Sequence, residues 1–340
     1  MTLAESKESI EAISGVSTPW AFRGSVAFSG GSAAFFDSLH GSAVAERRAD
    51  SQCVKAFWIP GWWIVGAERQ NHEVNLVVQR LSRFKRVRMP VECADSYLDV
   101  EDGTRFTLNW IESVDGRYVP VSRFETMKPT RTRALVTVHG GFGISLRPFS
   151  GAPGKVHMSD IVFAHVRGGG ELGPGWAGSG RGENKGLALD DLRCVLRYER
   201  RRGEVHLIGA SHGGWLALLA AMHDPATVGS ICVTSPIIDL KGYLASDLGQ
   251  KHRSEFPRTA IESMDPTSML ARYEFDHLPR LMVIAGRDDQ IVQGQRYEEF
   301  ARAWRRSGGT CELAWHGGGH YAPMAEELAI IMDLQGKFFS

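Results

Sequence analysis

The sequence predicts an α/β fold, in which a mainly parallel sheet is covered by helices and preceded by a short β-rich region. From about residue 130, continuous apolar runs alternate with helix-like stretches, as in a parallel sheet buried on both faces. Before that point, short apolar runs are split by Gly, Pro and polar residues. We therefore expect a β-rich region over residues 1–125, which is a cap or a remnant of a larger domain, and an α/β domain over 126–340.

Two features characterise the β-rich region. Asp-Gly pairs at 102–103 and 115–116 are flanked by β-forming residues, which predicts hairpins or a meander. Trp58, Trp62 and Trp63 form a cluster that we expect to pack in a core, with an exposed partner surface as the alternative.

The α/β region contains predicted helices and strands in alternation. Residues 189–203 predict a helix, because two aspartates lie near its positive end, arginines lie near its negative end and Gly203 follows. The predicted strands lie, in order, in RALVTVHGG, DIVFAHVRGGG, EVHLIGAS, GSICVTSP, LPRLMVIAG and CELAWHGGGH. Further helices are predicted in GGWLALLAAMHD, in GQRYEEFARAWRRSGG and from about residue 323.

Composition excludes several classes of protein. The 39 basic and 39 acidic side chains cancel, and the most basic stretch, 80–88, is typical of a solvated strand, so we expect no nucleic-acid partner. No run approaches the ~18 apolar residues of a membrane span, and the first residues lack a signal-peptide pattern. Five scattered cysteines without a CxxC pair predict neither disulfides nor zinc, and favour a reducing, cytoplasmic location.

The stretch 209–213 reads Gly-Ala-Ser-His-Gly and lies between a predicted strand and a predicted helix. This is the G-x-S-x-G turn of α/β hydrolases, whose glycines allow a backbone tight enough to expose the serine. The pattern predicts Ser211 as a nucleophile and the N–H of His212 as one oxyanion donor. The alternative is an ordinary strand-to-helix turn with a capping serine.

A serine nucleophile needs a base, and the base needs an orienting acid, in the chain order Ser, acid, His. Asp288 and Asp289 follow one apolar strand, and His320 lies in a Gly-rich loop after the next. The residues alone do not decide between the two aspartates. His316 and His320 also have the spacing of a metal pair, but three glycines between them disfavour a helical zinc site, so no metal and no cofactor is expected.

A second oxyanion donor is expected in the loop after the strand RALVTV, which reads His139-Gly140-Gly141. The alternative is a plain glycine turn. A GxGxxG pattern at 168–173 resembles a dinucleotide-binding turn, but Pro174 and further glycines follow where an apolar helix should begin. We therefore expect no nucleotide site.

Taken together, these segments resemble the serine peptidases of the prolyl oligopeptidase family, whose catalytic domain is an α/β hydrolase. The resemblance runs from about residue 92 to the end. Its segments are RGGGELGPGW…ENKG (167–186), HGGFGIS (139–145), DDL (190–192), GASHGG (209–214), GRDDQIV (286–292) and GGGH (317–320). It implies Ser211 as nucleophile, Asp288 as orienting acid and His320 as base.

The chain also departs from this family. Its members carry a large N-terminal β-propeller, and seven blades need roughly 300 residues. Only about 120 residues precede the hydrolase-like region here. We therefore expect at most two or three blades' worth of strands.

Three positions near the expected site differ as well. His139 corresponds to a Tyr that supplies an oxyanion hydroxyl, so backbone N–H groups or the imidazole would have to serve. Gln290 corresponds to an Arg that holds a substrate carbonyl. The Trp that stacks on a substrate proline has no counterpart in 239–256, which leaves proline specificity without support.

The sequence thus predicts a serine hydrolase that cleaves a peptide or amide bond of a small substrate through an acyl-enzyme on Ser211. Two alternatives stay open: an esterase, acyltransferase or cyclase that uses the same three residues, and a non-catalytic binding protein on a decayed hydrolase. The expected partner is a small peptide, amide or ester. Self-association into a homo-oligomer is left open.

Overall fold

The computed structural model describes seven strands between residues 24 and 91, and then residues 104–126, 133–144, 146, 160–172, 174–259, 261–292, 294–320 and 325–339. The strands are β1 (Gly24–Ser29), β2 (Ser32–Asp37), β3 (Ser42–Ala45), β4 (Phe57–Ile59), β5 (Trp63–Gln70), β6 (Glu73–Arg80), β7 (Lys85–Val91), β8 (Thr104–Glu112), β9 (Tyr118–Thr126), β10 (Arg133–Val138), β11 (Asp160–Ala164), β12 (Glu204–Ala210), β13 (Ser230–Thr234), β14 (Arg280–Gly286) and β15 (Cys311–His316). The helices are α1 (Pro174–Ser179), α2 (Lys185–Arg200), α3 (His212–His223), α4 (Leu240–Ala245), α5 (Asp247–Lys251), α6 (Pro266–Arg272), α7 (Gly294–Arg306) and α8 (Ala325–Phe339).

The first seven strands form two small antiparallel sheets. Strands β1 to β3 make a three-stranded sheet, and β4 to β7 make a four-stranded sheet in chain order. Trp58 lies in β4 and Trp63 begins β5. The side chains of this cluster and the whole of Trp62 lie outside the described residues, so its packing stays a prediction.

The remaining strands form one eight-stranded sheet in the order β15-β14-β13-β12-β10-β11-β9-β8. The six strands from β15 to β11 are parallel, while β9 pairs antiparallel with both β11 and β8. This sheet confirms the predicted α/β-hydrolase fold. In such sheets the loops after the carboxyl ends of parallel strands carry the reactive groups.

The hairpin of β8 and β9 precedes the expected domain boundary at 125/126, yet its strands lie in the eight-stranded sheet. The hairpin of β8 and β9 belongs to the large sheet, because Phe124 and Arg123 of β9 pair with Ile161 and Val162 of β11. The predicted Asp-Gly turn does join the two strands, and Gly116 has a φ of +78° that suits glycine. Turn residues identify a hairpin locally, but the sheet it joins is decided by pairing with a strand far along the chain.

Alternate residues of the parallel strands face two apolar layers. On one face, Val136, Leu207 and Val233 pack with α2, α3 and α7. On the other face, Leu135, Ile208 and neighbouring strand residues pack with the end of α8. Both faces are buried, which is why these strands read as continuous apolar runs.

A buried arginine ties the hairpin to α2. The guanidinium of Arg167, which follows β11, donates to both carboxylate oxygens of Asp191 in α2, at 2.8 and 2.5 Å. It also donates to Asp115 at the hairpin turn, at 2.5 Å. Because Arg167 and Asp191 are fully buried, removing Arg167 would leave the Asp191 carboxylate in the core without the cation that pairs with it in the structure.

Candidate active site

Ser211 lies on a sharp turn between β12 and α3. Its φ of +51° is in the left-handed region, which is strained for a residue with a side chain. A Cβ on Gly209 would lie 2.4 Å from the carbonyl oxygen of Gly213, and a Cβ on Gly213 would lie 2.2 Å from that of Val138. The two glycines are therefore required by close backbone approach, and they hold the half-buried serine beside the end of β10.

The structure brings Ser211, His320 and Asp289 into one line of hydrogen bonds. The Oγ of Ser211 is 2.8 Å from Nε2 of His320. The Nδ1 of the same imidazole is 3.0 and 3.2 Å from the two carboxylate oxygens of Asp289. A carboxylate only accepts, so the proton lies on Nδ1 and leaves Nε2 free to accept from the serine hydroxyl.

The resemblance implied Asp288 as the acid, and the structure corrects this to Asp289. Asp288 is exposed, whereas Asp289 is buried against His320. The side chains of these two neighbouring residues point in different directions, so that Asp289 faces His320 and Asp288 faces solvent. Asp289 also accepts from the N–H groups of Ile291 and Val292, at 2.8 and 3.0 Å, so the turn closes around its carboxylate. The sequence carried no signal that separates the two aspartates, because both lie in the turn after Gly286, the last residue of β14.

Tyr297 of α7 also contacts Asp289 and was not predicted from the sequence. Its hydroxyl is 3.2 Å from a carboxylate oxygen of Asp289 and 3.2 Å from the carbonyl oxygen of Pro236. Burial alone would raise the pKa of Asp289, but the hydrogen bonds from His320 and the turn N–H groups outweigh it, so the pKa is lowered. Burial and the charge of Asp289 raise the pKa of Tyr297, so the phenol stays a neutral donor.

The loop His139-Gly140-Gly141 follows β10 and packs against His212, the residue after Ser211. Nδ1 of His212 is 2.8 Å from the carbonyl oxygen of His139. Nζ of Lys185 donates to the carbonyl oxygen of Gly140 at 3.2 Å. The backbone of Gly168 reaches the same carbonyl so closely that a Cβ there would lie 2.4 Å from it, so Gly168, the first glycine of the GxGxxG pattern, allows the two loops to pack closely.

Charge in this loop is controlled by burial. Burial, with a smaller effect of the Lys185 charge, holds the pKa of His212 well below its usual value. Burial also lowers the pKa of His139, against the opposing effect of Glu171. Both imidazoles are therefore neutral near pH 7.

The other predicted positions lie as follows. Gln290 is exposed next to the acid. His316 is buried at the end of β15, and its Nδ1 accepts from the N–H of Gly318 at 3.2 Å. In the segment 239–256, where the family Trp has no counterpart, Nδ1 of His252 is 2.5 Å from the hydroxyl of Tyr243.

Within the described part of the chain, no cluster of three or more His, Cys, Asp or Glu is arranged to hold a metal ion. Among the helices that the structure describes, none has the length and apolar character needed to cross a bilayer.

Comparison with known proteins gives a consistent family signal. Residues 160–338 match the Prolyl oligopeptidase family (Peptidase_S9), which is more than half of the 340 residues. A dual function macrocyclase-peptidase from Amanita bisporigera is 27% identical over 63% of this chain and 31% of its own length. Its counterpart from Galerina marginata is 30% identical over 47% of this chain and 24% of its own.

Solved structures agree on the fold. A post-proline cleaving enzyme from Rickettsia typhi has a TM-score of 0.64 at 17% identity, with 93% of this chain and 49% of that chain covered. Oligopeptidase B from Leishmania major has a TM-score of 0.62 at 13% identity, with coverage of 92% and 49%. The chain thus spans about half the length of these structures and about a third or less of the curated relatives it matches.

Proposed function

This chain belongs to the prolyl oligopeptidase family, and on that premise we propose that it is a serine hydrolase that cleaves a peptide or amide bond of a small substrate. One observation carries the proposal: a strained, half-buried serine donates to an imidazole whose second nitrogen is held by a buried carboxylate. This is the arrangement that activates a serine hydroxyl in acyl transfer.

The reaction follows from the protonation states. His320 takes the proton of Ser211 at Nε2 while Oγ forms a bond to the substrate carbonyl carbon, and the oxyanion is stabilised by N–H groups. His320 then returns this proton to the departing amine as the carbon–nitrogen bond breaks. Water, deprotonated by the same imidazole, attacks the acyl-enzyme and releases the acid and the free serine. Asp289 keeps the proton on Nδ1 and stabilises the transient imidazolium.

The oxyanion donors belong to this proposal. The N–H of His212 lies in the first turn of α3, where the backbone donors have no acceptor within the helix. Close contact of Gly213 with the end of β10 puts the loop 139–141 beside this turn, so its glycine N–H groups are the second source of donors. Loss of one such donor typically raises the barrier by about 3–4 kcal/mol.

A second candidate function is acyl transfer to an amine in place of water. The Amanita and Galerina relatives are described as dual function macrocyclase-peptidases, and the first of them matches 63% of this chain. The same acyl-enzyme serves both reactions, because the outcome depends on which nucleophile reaches the ester first. Esterase activity is a further use of the same intermediate.

The first test is intact-mass labelling with a fluorophosphonate on the wild type and on Ser211→Ala. We expect one adduct on the wild type and none on the variant, since only an activated serine reacts. No adduct on a folded wild type would contradict the proposal and favour a non-catalytic binding protein.

The second test separates the candidate reactions. The protein is incubated with matched aminoacyl amides and esters, with and without a small amine as acyl acceptor. The products are identified by mass spectrometry. Acid as the sole product of the amides supports a peptidase, while an amine-coupled product supports acyl transfer. Turnover of esters alone would contradict amide hydrolysis.

Location and partners are also proposals. The described cysteines Cys194, Cys232 and Cys311 are free thiols, which supports a reducing compartment and hence the cytoplasm. The proposed partner is a small peptide, amide or ester.

A further inference from the structure

The buried imidazole of His212 has no part in the proton transfers proposed above, yet it touches the loop that supplies oxyanion donors. Its side chain is 1% exposed and packs among the rings of His139, Phe142, Trp215 and Phe256, with centroids 5.0–5.7 Å away. An imidazole in an aromatic core destabilises the fold unless its nitrogens are hydrogen-bonded, because burying an unpaired polar group costs free energy.

The single described hydrogen bond of this imidazole determines its tautomer. Nδ1 lies 2.8 Å from the carbonyl oxygen of His139, and a carbonyl can only accept, so Nδ1 carries the proton. Within the described residues, Nε2 is buried without a hydrogen-bond partner. The side chain therefore keeps one donor for one backbone carbonyl and leaves its other nitrogen unsatisfied.

Holding a carbonyl also orients the N–H on the other side of the same peptide unit. The described peptide bonds are trans, so the C=O of His139 and the N–H of Gly140 point in opposite directions in one plane. When the carbonyl is held by His212 on the core side, the N–H of Gly140 is directed away from the core. Lys185 holds the carbonyl of Gly140 in the same manner and so directs the N–H of Gly141.

Contact of the loop with the ring leaves little freedom for another arrangement. A Cβ on Gly141 would lie 2.5 Å from Cε1 of His212, so the glycine backbone rests directly on the imidazole. His212 is also covalently next to Ser211, so the group that holds the loop moves with the nucleophile turn.

We propose that the His212 side chain is a positioning residue, which holds the peptide unit between His139 and Gly140 so that its N–H faces the oxyanion formed on Ser211. The inference rests on the proposed serine hydrolase activity. His212 then contributes twice: its backbone N–H is one oxyanion donor, and its side chain orients another.

The test compares His212→Leu, which removes the donor, with His212→Asn, whose amide nitrogen can stand near the position of Nδ1. His206→Leu is the matched control. His206 is buried like His212, but it lies near the start of β12, whereas His212 follows the end of that strand. The imidazole of His206 is hydrogen-bonded to Ser230. For each folded variant, kcat, KM and the inhibition constant of a peptidyl aldehyde are measured. The aldehyde forms a tetrahedral oxyanion on the serine and so reports on the donors.

We expect His212→Leu to lower kcat by about 10- to 100-fold and to weaken the aldehyde by a similar factor, with KM little changed, since misdirecting one donor costs part of its full effect. His212→Asn should stay within about three-fold of the wild type, and His206→Leu should keep its kcat. Equal losses in the Leu and Asn variants, or no loss in either, would overturn the positioning role while the wild type stays active.

A spectroscopic measurement tests the same idea without turnover. Nitrogen-15 spectra of labelled histidine should show His212 as the neutral tautomer with the proton on Nδ1 at pH 7 to 8. A proton on Nε2 would overturn the inference. A wild type with neither turnover nor a fluorophosphonate adduct would instead refute the proposed function, and the positioning role with it.

Discussion

At the scale of single residues, two adjacent carboxylates have different roles in the structure. Asp289 is buried and accepts from His320, from two turn N–H groups and from Tyr297. Asp288 is exposed to solvent, where an aspartate on a turn contributes little to a neighbouring imidazole. Asp289 is therefore placed to orient the imidazole of His320, and Asp288 is not.

Asp289→Asn should therefore lower kcat by about 10³- to 10⁴-fold, because an amide in place of the carboxylate no longer favours the proton on Nδ1 of His320. Asp288→Asn is the matched control and should stay within about three-fold of the wild type. Steady-state kinetics on an aminoacyl amide measure both. A larger loss in the Asp288 variant would restore the assignment implied by the resemblance and refute the one from geometry.

At the scale of elements, the junction of β10, β12 and α3 determines where Ser211 lies. Gly213 lies in the first turn of α3, so close to the end of β10 that an added Cβ would be 2.2 Å from the carbonyl oxygen of Val138. This packing maintains the strained backbone of Ser211. The N–H of Ser211 also donates to the carbonyl oxygen of Thr234, at the end of β13, at 2.9 Å.

Gly213→Ala should lower the free energy of unfolding by about 1–3 kcal/mol, because the added methyl must push α3 away from β10. The rate of fluorophosphonate labelling should fall as well. Gly186→Ala is the matched control: a Cβ there meets nothing within 4 Å, and alanine favours a helix over glycine by about 0.5–1 kcal/mol. Urea unfolding measures both variants, and equal stability of the two would contradict the close packing.

At the scale of the whole molecule, the α/β domain keeps several histidines neutral inside its core. Burial is the largest cause that lowers the pKa values of His139, His165, His206 and His212 below their usual value near 6.5. In the unfolded chain the same side chains take up protons as the pH falls through 6.5. The unfolded state then binds more protons than the folded state, so acid favours unfolding.

The free energy of unfolding should consequently decrease between pH 7 and pH 5, by up to about 1.4 kcal/mol per pH unit for each proton taken up. Urea titrations at several pH values measure this slope. His206→Asn removes one of the four groups and should flatten the slope relative to the wild type. A free energy of unfolding that is constant across this range would show that the buried histidines bind protons in the folded state too.

Local patterns in the sequence determined much of this protein. The apolar runs of the parallel strands and the glycines around Ser211 are each readable within about a dozen residues, because strand burial and tight turns leave local signatures. The order Ser, Asp pair, His is readable along the chain from three such short segments. The Asp-Gly turn at 115–116 predicted its hairpin for the same reason.

Only the tertiary structure decided the rest. The choice of Asp289 over Asp288 depends on how one turn presents two neighbouring side chains to a histidine 31 residues away from Asp289. The hairpin of β8 and β9 joins the large sheet through pairing with β11, and the His212 side chain reaches the carbonyl of His139, 73 residues away. These contacts join distant parts of the chain, so side-chain direction and pairing partners depend on the packed fold, which no local pattern encodes.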